Sequence, residues 1–506
     1  MVTNILEFMD EAAVRYPGRT AFADDELSLS FDEFKKRADR VGSFLLKKGA
    51  VSEPVIIFMR RSPLTLTAFF GTVAAGCFYV PVDTEMPGRR IELILKTTKA
   101  RWMICDETTY ESAVGLDFDG SILKYEDIPD ETDEKGLLGV RESSIDTDPV
   151  YILFTSGSTG VPKGVVGYHR GVIDYAYALT EALEIDGDCV FGMQSPLYLD
   201  ACLKEILSTF LYGAATWLIP AEVFLFPKRI VEYLNEHRIN TICWVVSVLT
   251  MISGFKTFDV VRPKYLKIVA FGSEVFPIKQ FNLWRETLPD ARFYNLYGPT
   301  EATGMSCVYR VDREFSEGDV IPIGRPFRNT RIVLLDKDGN EVAEGAEGEI
   351  CISGSCLTKG YYNNPEKTKA AFTHDPTRPD YDEMIYHTGD MGYKRDGLLY
   401  FASRTDHQIK HMGHRIELGE IEADAACVEG VKGCACVFFR ENEKIVLFYS
   451  GDITKAELST RLKERLPGYM VPNAIRQIDR LPLLPNGKLD RMRLMEIYKE
   501  ERHGKR

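Results

Sequence analysis

Ten consecutive residues, Thr155-Ser156-Gly157-Ser158-Thr159-Gly160-Val161-Pro162-Lys163-Gly164, concentrate hydroxyls, glycines and a lysine in one stretch. Glycines let backbone amides close on phosphate oxygens, hydroxyls add donors, and the lysine adds positive charge. The stretch follows directly on Val150-Tyr151-Ile152-Leu153-Phe154, an apolar run that reads as a buried strand. It is not a Walker loop, because the GxxxxGK[ST] spacing is absent and Gly164 stands where Ser or Thr would bind magnesium. A solvated Gly/Ser loop is the plainer alternative; the density of donors, with Pro-Lys among them, argues against it.

A phosphate loop needs a strand behind it and helices to cover the sheet. Helical patterns at Ile5 to Tyr16, Phe31 to Lys48 and Leu64 to Ala75 alternate with short apolar runs such as Pro54-Val55-Ile56-Ile57-Phe58 and Trp102-Met103-Ile104-Cys105. That alternation predicts parallel sheets wrapped by helices. Further rounds start at Val150 and at Thr241-Ile242-Cys243-Trp244-Val245-Val246. Arg331 to Ser353 reads instead as short strands with Asp-Gly and Glu-Gly turns, a small antiparallel barrel. After about Arg404 the elements become shorter and mixed, including a helix announced by the capping box Thr454-Lys455-Ala456-Glu457. The expected architecture is α/β: a large N-terminal domain over 1–405, with two helix-covered sheets plus a small β-barrel, and a mobile, smaller α+β C-terminal domain over 406–506.

A length of 506 residues is too great for one ordinary core. Hydrophobic residues at 45% and charged ones at 27% exclude a disordered chain, and a formal charge of -13 disfavours a general nucleic-acid or membrane-surface binder. The 11 cysteines are scattered, and Cys434 and Cys436 lack the spacing of a zinc or redox pair. They read as reduced thiols of a cytoplasmic protein. The N-terminal stretch carries acids early and has no basic segment leading into an apolar run, so no secretory signal is expected. Gly71, Gly76 and Pro81 break the apolar stretch from Leu64 to Val82, and no membrane span is expected.

Other blocks follow in order: Gly76-Cys77-Phe78-Tyr79-Val80-Pro81-Val82-Asp83, Asn295-Leu296-Tyr297-Gly298-Pro299-Thr300-Glu301, Tyr386-His387-Thr388-Gly389-Asp390, Arg404-Thr405-Asp406-His407-Gln408-Ile409-Lys410, Leu466-Pro467-Gly468-Tyr469-Met470-Val471-Pro472 and Asn486-Gly487-Lys488-Leu489-Asp490-Arg491. With the phosphate loop they resemble the adenylate-forming superfamily of acyl-CoA synthetases, luciferases and nonribosomal peptide adenylation domains, from Leu29 to Arg491. The resemblance implies attack of a carboxylate on the α-phosphate of ATP, with Mg²⁺ as cofactor. Thr155, Ser156, Gly157, Ser158, Thr159, Gly160 and Lys163 would hold the triphosphate, Glu301 would ligate Mg²⁺, and Thr300 would bind on the α-phosphate side. Tyr297 would stack on adenine and Asn295 would hydrogen-bond its amino group, with Gly272 and Gly298 alongside, while Asp390 would take the ribose hydroxyls with help from Arg404. Lys488 would bridge substrate carboxylate and α-phosphate as charge builds there; outside this context it would read as a solvated lysine. Asp406 would be the hinge on which the C-terminal domain turns, bringing Lys410 and Gly413 to the thiol's route. The sequence departs from the family pattern at Ser403, where glycine is usual, and at Gly272-Ser273-Glu274, where Gly-Gly-Glu is usual.

Leu199-Asp200-Ala201-Cys202 is similar to the block whose aspartate pairs with an α-ammonium in the amino-acid-activating branch, with Leu199 in an aromatic residue's place. Asp200 could instead cap a helix. By the same resemblance Ala201, Lys204, Trp244, Val269, Phe271, Leu296, Gly304 and Met305 would line the side-chain end, and their bulk leaves little room. The expectation is adenylation of a small amino acid, alanine favoured and D-alanine included. Transfer to the phosphopantetheine thiol of a holo carrier protein would follow, as in stand-alone D-alanine:D-alanyl carrier protein ligases. Lys204 keeps an acidic amino acid open if its ammonium has no protein carboxylate for a partner, or it could form an i,i+4 pair with Asp200. A CoA ligase for an aryl or fatty acid would keep the nucleotide residues without the aspartate. A non-catalytic adenylate-binding protein would have no use for Lys163, Glu301, Asp390 and Lys488 together.

Overall fold

The computed structural model describes residues 2–157, 161–406, 408–439, 442–483 and 489–503. Contacts divide the chain into two units. The first comprises Met1–Thr84, Thr97–Phe154 and Gly164–Thr405; the second comprises Glu85–Lys96, Thr155–Lys163 and Asp406–Arg506. The boundary thus runs between Thr405 and Asp406, but two earlier segments, one of them the phosphate loop, cluster with the C-terminal residues.

The first unit is built on two α/β sheets. In the nine-stranded sheet, the strands Thr20–Ala23, Ala215–Leu218, Val190–Met193, Thr241–Val245, Ile268–Gly272 and Arg292–Tyr297 lie side by side and parallel. Antiparallel strands close both edges: Ser28–Ser30 on one side, Cys307–Arg310 and Arg325–Pro326 on the other. Ile268–Gly272 is buried at every position, as expected of a parallel strand covered on both faces, which reads as an unbroken apolar run. The six-stranded sheet has the order Ser121–Lys124, Trp102–Cys105, Pro54–Phe58, Phe78–Pro81, Pro149–Thr155, Lys163–Tyr168. Its strand Pro149–Thr155 leads straight into the phosphate loop.

The helices expected near the N-terminus are Leu6–Arg15, Phe31–Lys47 and Pro63–Ala74. Ser30 caps the second with a capping box to Glu33. Pro63–Ala74 is buried on nearly all sides, which accounts for the apolar stretch there; no described helix is long and apolar enough to cross a membrane. The antiparallel block begun at Arg331 extends to Arg404 as a five-stranded sheet of Thr330–Leu335, Gly348–Gly354, Phe372–His374, Met384–Arg395 and Leu398–Arg404, with Met384–Arg395 pairing three neighbours.

The second unit is α+β. A three-stranded sheet of Val431–Phe439, Lys444–Gly451 and Ala474–Gln477 packs with the helices Leu418–Ala426, Lys455–Lys463 and Arg491–His503. The capping box at Thr454 and Glu457 is present. All 11 cysteines are free thiols.

Candidate active site

Both sites of the first unit gather at the carboxyl ends of the parallel strands, where open α/β sheets place ligands. On the nucleotide side, Arg292–Tyr297 carries Asn295 and Tyr297 on one face. The Asn295 amide donates to Pro322 O at 2.8 Å. The Tyr297 hydroxyl donates to Asp390 Oδ2 at 2.6 Å. Arg404, the direct cross-strand partner of Asp390, forms an ion pair with the same carboxylate and donates to Thr388 O at 3.0 Å. Asp390, Tyr297 and Arg404 are all largely withdrawn from solvent. Burial, then the Asp390 charge, holds the Tyr297 phenol far above its ordinary range, so it stays a donor.

Gly298, Thr300 and Glu301 follow at once. Glu301 is fully buried; its backbone carbonyl accepts from Thr358 N at 2.9 Å, and its Oε1 accepts from the Tyr361 hydroxyl at 2.8 Å. Glu301, Thr300 and Tyr361 offer only oxygen atoms, a donor set that fits a hard divalent cation such as Mg²⁺.

The phosphate loop is described from Thr155 to Gly157 and from Val161 onward; Ser158, Thr159 and Gly160 lie outside the described residues, as does Lys488. Within the second unit, Ser156 Oγ donates to Arg415 O at 2.7 Å and Gly157 N donates to Glu420 Oε2 at 3.1 Å. Lys163 Nζ lies 4.0 Å from Glu417 Oε1. A carboxylate therefore occupies a loop amide of the kind that binds phosphate. Burial pushes the Glu420 carboxyl up, against the opposing charge of Arg90, with which it forms a buried pair. Asp406 Oδ1 accepts from Gln408 N at 3.1 Å. Lys410 lies on the strand Gln408–His411, which pairs with His414–Glu417 through the two-residue turn Met412-Gly413, with φ of 52° and 79°. Positive φ at both turn residues suits the tight hairpin and favours glycine at the second.

On the acyl side, a cavity of ≈ 20 Å³, measured as space open to water centres, is bordered by Ala201, Lys204, Trp244, Phe271, Leu296 and Met305 among others. That is room for about one water. Val269 does not border it: two residues earlier on the strand than Phe271, it is fully buried in the apolar cluster that also holds Trp244 and Phe271. Cys243, Ala270 and Ser195 line the cavity instead, because both faces of a strand reach a pocket at the strand's end. Trp244 is fixed by donating Nε1–H to Gly192 O at 2.7 Å.

Asp200 sits one residue before this cavity, in the short helical turn Asp200–Cys202, and caps no helix. Burial pushes its carboxyl up; Lys204's charge and a hydrogen bond from the Thr300 side chain oppose this, and Glu301's charge adds to it. Such a carboxylate is stabilised by a cation brought to it. Gly304, at φ 91°, packs beside both groups: a Cβ there would be in van der Waals contact, 3.4 Å from Tyr175 Oη and 3.8 Å from Asp200 Oδ2. The buried Tyr175 hydroxyl has no hydrogen-bond partner among the described residues. Lys204 Nζ donates to Ala201 O at 2.7 Å, and no described carboxylate lies within 4.0 Å of it.

The sequence matches the AMP-binding enzyme family over residues 9–362. The chain belongs to that family. Tyrocidine synthase 1 of Brevibacillus parabrevis is 28% identical over 501 residues, covering 97% of this chain and 45% of that protein. The D-alanine–D-alanyl carrier protein ligase of Listeria innocua is 32% identical over 515 residues, covering 98% and 99%. The solved structure of holo-PA1221, an NRPS protein containing adenylation and PCP domains, superposes with a TM-score of 0.85 at 25% identity, over 97% of this chain and 84% of that one. Among AMP-binding enzymes, the adenylate-forming ligases use ATP, and this chain's relatives are of that kind. Two residues that sequence reasoning missed lie against the candidate site residues: Tyr175 beside Gly304, and Tyr361 bonded to Glu301. The first comes from the helix His169–Ala182 and the second from the loop after Thr358, and no spacing in the sequence relates either to Asp200 or Glu301. The departure at Ser273 has a structural reading as well: the residue takes φ 69°, a left-handed conformation that glycine adopts without cost.

Proposed function

We propose that this protein activates the carboxylate of a small amino acid, alanine favoured in either configuration, and passes it to the phosphopantetheine thiol of a holo carrier protein. A carboxylate oxygen attacks the α-phosphorus of ATP, the α–β P–O bond breaks, and pyrophosphate leaves with its electron pair. The thiol sulfur then attacks the acyl carbon, AMP departs, and the thiol proton passes to solvent. Asp200 would take the α-ammonium with Thr300 and Tyr175 beside it. Asp390, with Arg404 and Tyr297, would hold the ribose. Lys163 and the loop amides would hold phosphates, and Lys488 would offset charge at the reacting oxygens until the unit beginning at Asp406 turns and brings Lys410 and Gly413 to the thiol. Mg²⁺, held by Glu301 and its neighbouring hydroxyls, would neutralise phosphate charge.

The observation that carries this reading is the recessed Asp200 carboxylate beside Gly304, next to a cavity with room for about one water. The similarity to a carrier protein ligase along both full lengths supports the acceptor. ATP–pyrophosphate exchange, run with both enantiomers of each amino acid, should respond to one small amino acid. No response to any amino acid, with turnover on an aryl or fatty acid, refutes it. A second reading has its own observation: Lys204 presents a buried ammonium to the cavity with a backbone carbonyl as its acceptor, and the carboxylate of an acidic amino acid would complete its pairing.

A further inference from the structure

The five-stranded sheet of the first unit holds a side-chain cluster that neither the nucleotide nor the acyl site uses. Glu349 and Cys351 stand two apart on the strand Gly348–Gly354 and therefore share a face, and His387 is the direct cross-strand partner of Cys351. One ligand atom from each of the three lies within 4.8 Å of the others. His387 Nδ1 is 2.9 Å from Glu349 Oε2 and 3.5 Å from Cys351 Sγ. On the far side of the ring, His387 Nε2 is 3.0 Å from Thr373 Oγ1, and the Thr373 hydroxyl has its own acceptor in His374 O at 3.3 Å.

That last pair of contacts is compatible with the tautomer a metal ligand needs. In the tautomer with Nε2–H donating to Thr373 Oγ1, whose own proton goes to His374 O, Nδ1 presents a lone pair. The lone pair faces a carboxylate oxygen and a sulfur. In that tautomer three electron-pair donors converge on one point, which a metal ion would fill; in the other, an Nδ1 proton donated to Glu349 fills it. Metal-bound histidines ordinarily place their second ring N–H on a hydrogen-bond acceptor, the position Thr373 Oγ1 takes here.

We propose that Glu349, Cys351 and His387 form a binding site for a zinc-class divalent metal ion. Sulfur, nitrogen and oxygen donors are zinc's ordinary ligands, and tetrahedral bonds of about 2.0–2.3 Å set neighbouring ligand atoms on the order of 3.3–3.7 Å apart. The Cys351–His387 spacing already meets this; the Glu349–His387 spacing has to open by about half an ångström. Cys351 is fully buried, whereas the side chains of Glu349 and His387 are 27% and 30% exposed, so the fourth position opens toward solvent for a water. On binding, the thiol proton leaves to solvent as the sulfur–metal bond forms, and the imidazole proton stays on Nε2. Glu349 Oε1 meanwhile accepts from Gly389 N at 2.9 Å, one residue before Asp390. The metal pins the strand that delivers Asp390 and is not itself part of the chemistry.

The test uses the full-length, tag-free, metal-stripped protein titrated with cobalt(II) alone. One equivalent should bind with a sulfur-to-cobalt charge-transfer band in the near ultraviolet, be displaced by zinc(II), and raise the melting temperature. Cys351→Ser, close to isosteric, should fold and lose the band, and His387→Gln should weaken binding at least tenfold. The absence of a band in the parent protein, meaning that a proton alone fills the gap, overturns the proposal. So does a band that survives in Cys351→Ser, which would assign the metal to another thiol.

Discussion

Glu205, on the helix Leu203–Tyr212 next to Lys204, provides a sharp test of how the acyl pocket is charged. Its side chain is fully buried, and neither carboxylate oxygen has a hydrogen-bond partner among the described residues. Burial pushes its carboxyl from an ordinary 4.5 up to about 7, with the charges of Lys204 and Arg61 opposing. An unfolded chain gives up this proton near pH 4.5 and the folded chain near pH 7, so between those values the folded state binds more protons. Stability from this group is therefore complete below pH 4.5, falls as pH rises, and levels off above pH 7. At about 1.4 kcal/mol for each pH unit, the loss amounts to about 3 kcal/mol. Glu205→Gln keeps the volume and cannot ionise, so its stability relative to the parent should rise by that amount between pH 4.5 and pH 8. All four tryptophans, Trp102, Trp217, Trp244 and Trp284, lie in the first unit, so urea unfolding followed by tryptophan fluorescence reports on this unit alone. Subtracting the variant's curve from the parent's removes every other titrating group. Parallel curves would refute the reasoning, because they would mean that Glu205 has a charge partner holding it near its ordinary value.

Three further outcomes are expected. Lys204→Met should alter alanine-dependent pyrophosphate exchange by less than about tenfold, since one net hydrogen bond is worth about 1 kcal/mol; a selective loss of glutamate activation of about a hundredfold would move the assignment to an acidic substrate. Gly304→Ala should cost about 1–2 kcal/mol in urea stability from its left-handed backbone and raise the amino-acid KM while leaving the KM for ATP unchanged; equal rises in both would separate Gly304 from Asp200's site. Lys488→Ala should slow adenylate formation by about a hundredfold or more yet spare transfer from a supplied acyl-adenylate, and Gly413→Trp should do the opposite; equal losses in both steps for both variants would refute the division of labour.

What the sequence made legible was whatever a short stretch of backbone requires locally. The run of apolar residues before Thr155 specifies a buried strand, the Thr454 and Glu457 pair specifies a helix start, and Asp390 and Arg404 face each other because a tight hairpin, turning at Asp396 and Gly397, fixes their register. The contact between Tyr297 and Asp390 spans 93 residues; the motifs assigned both residues to one nucleotide, and only tertiary packing supplies their hydrogen bond. Val269 shares a core cluster with Trp244 and Phe271, as strand alternation has it, but depth along the strand, which alternation does not encode, keeps it off the lining of this cavity. Tyr175 and Thr373 were out of reach altogether, since each acts through a neighbour that tertiary packing alone supplies. The charge balance of the pocket belongs with them. Lys204 and Glu205 are adjacent in sequence and so point apart on a helix, and the buried guanidinium of Arg61, whose Nη atoms donate to Ile219 O and Met193 O at 2.8 Å, comes from more than a hundred residues away. Whether a lysine at position 204 selects an acidic substrate or only offsets its own protein's charge therefore depends on Glu205 and Arg61 as much as on Lys204. In this pocket, the residue that names the substrate cannot be read without the two that set its field.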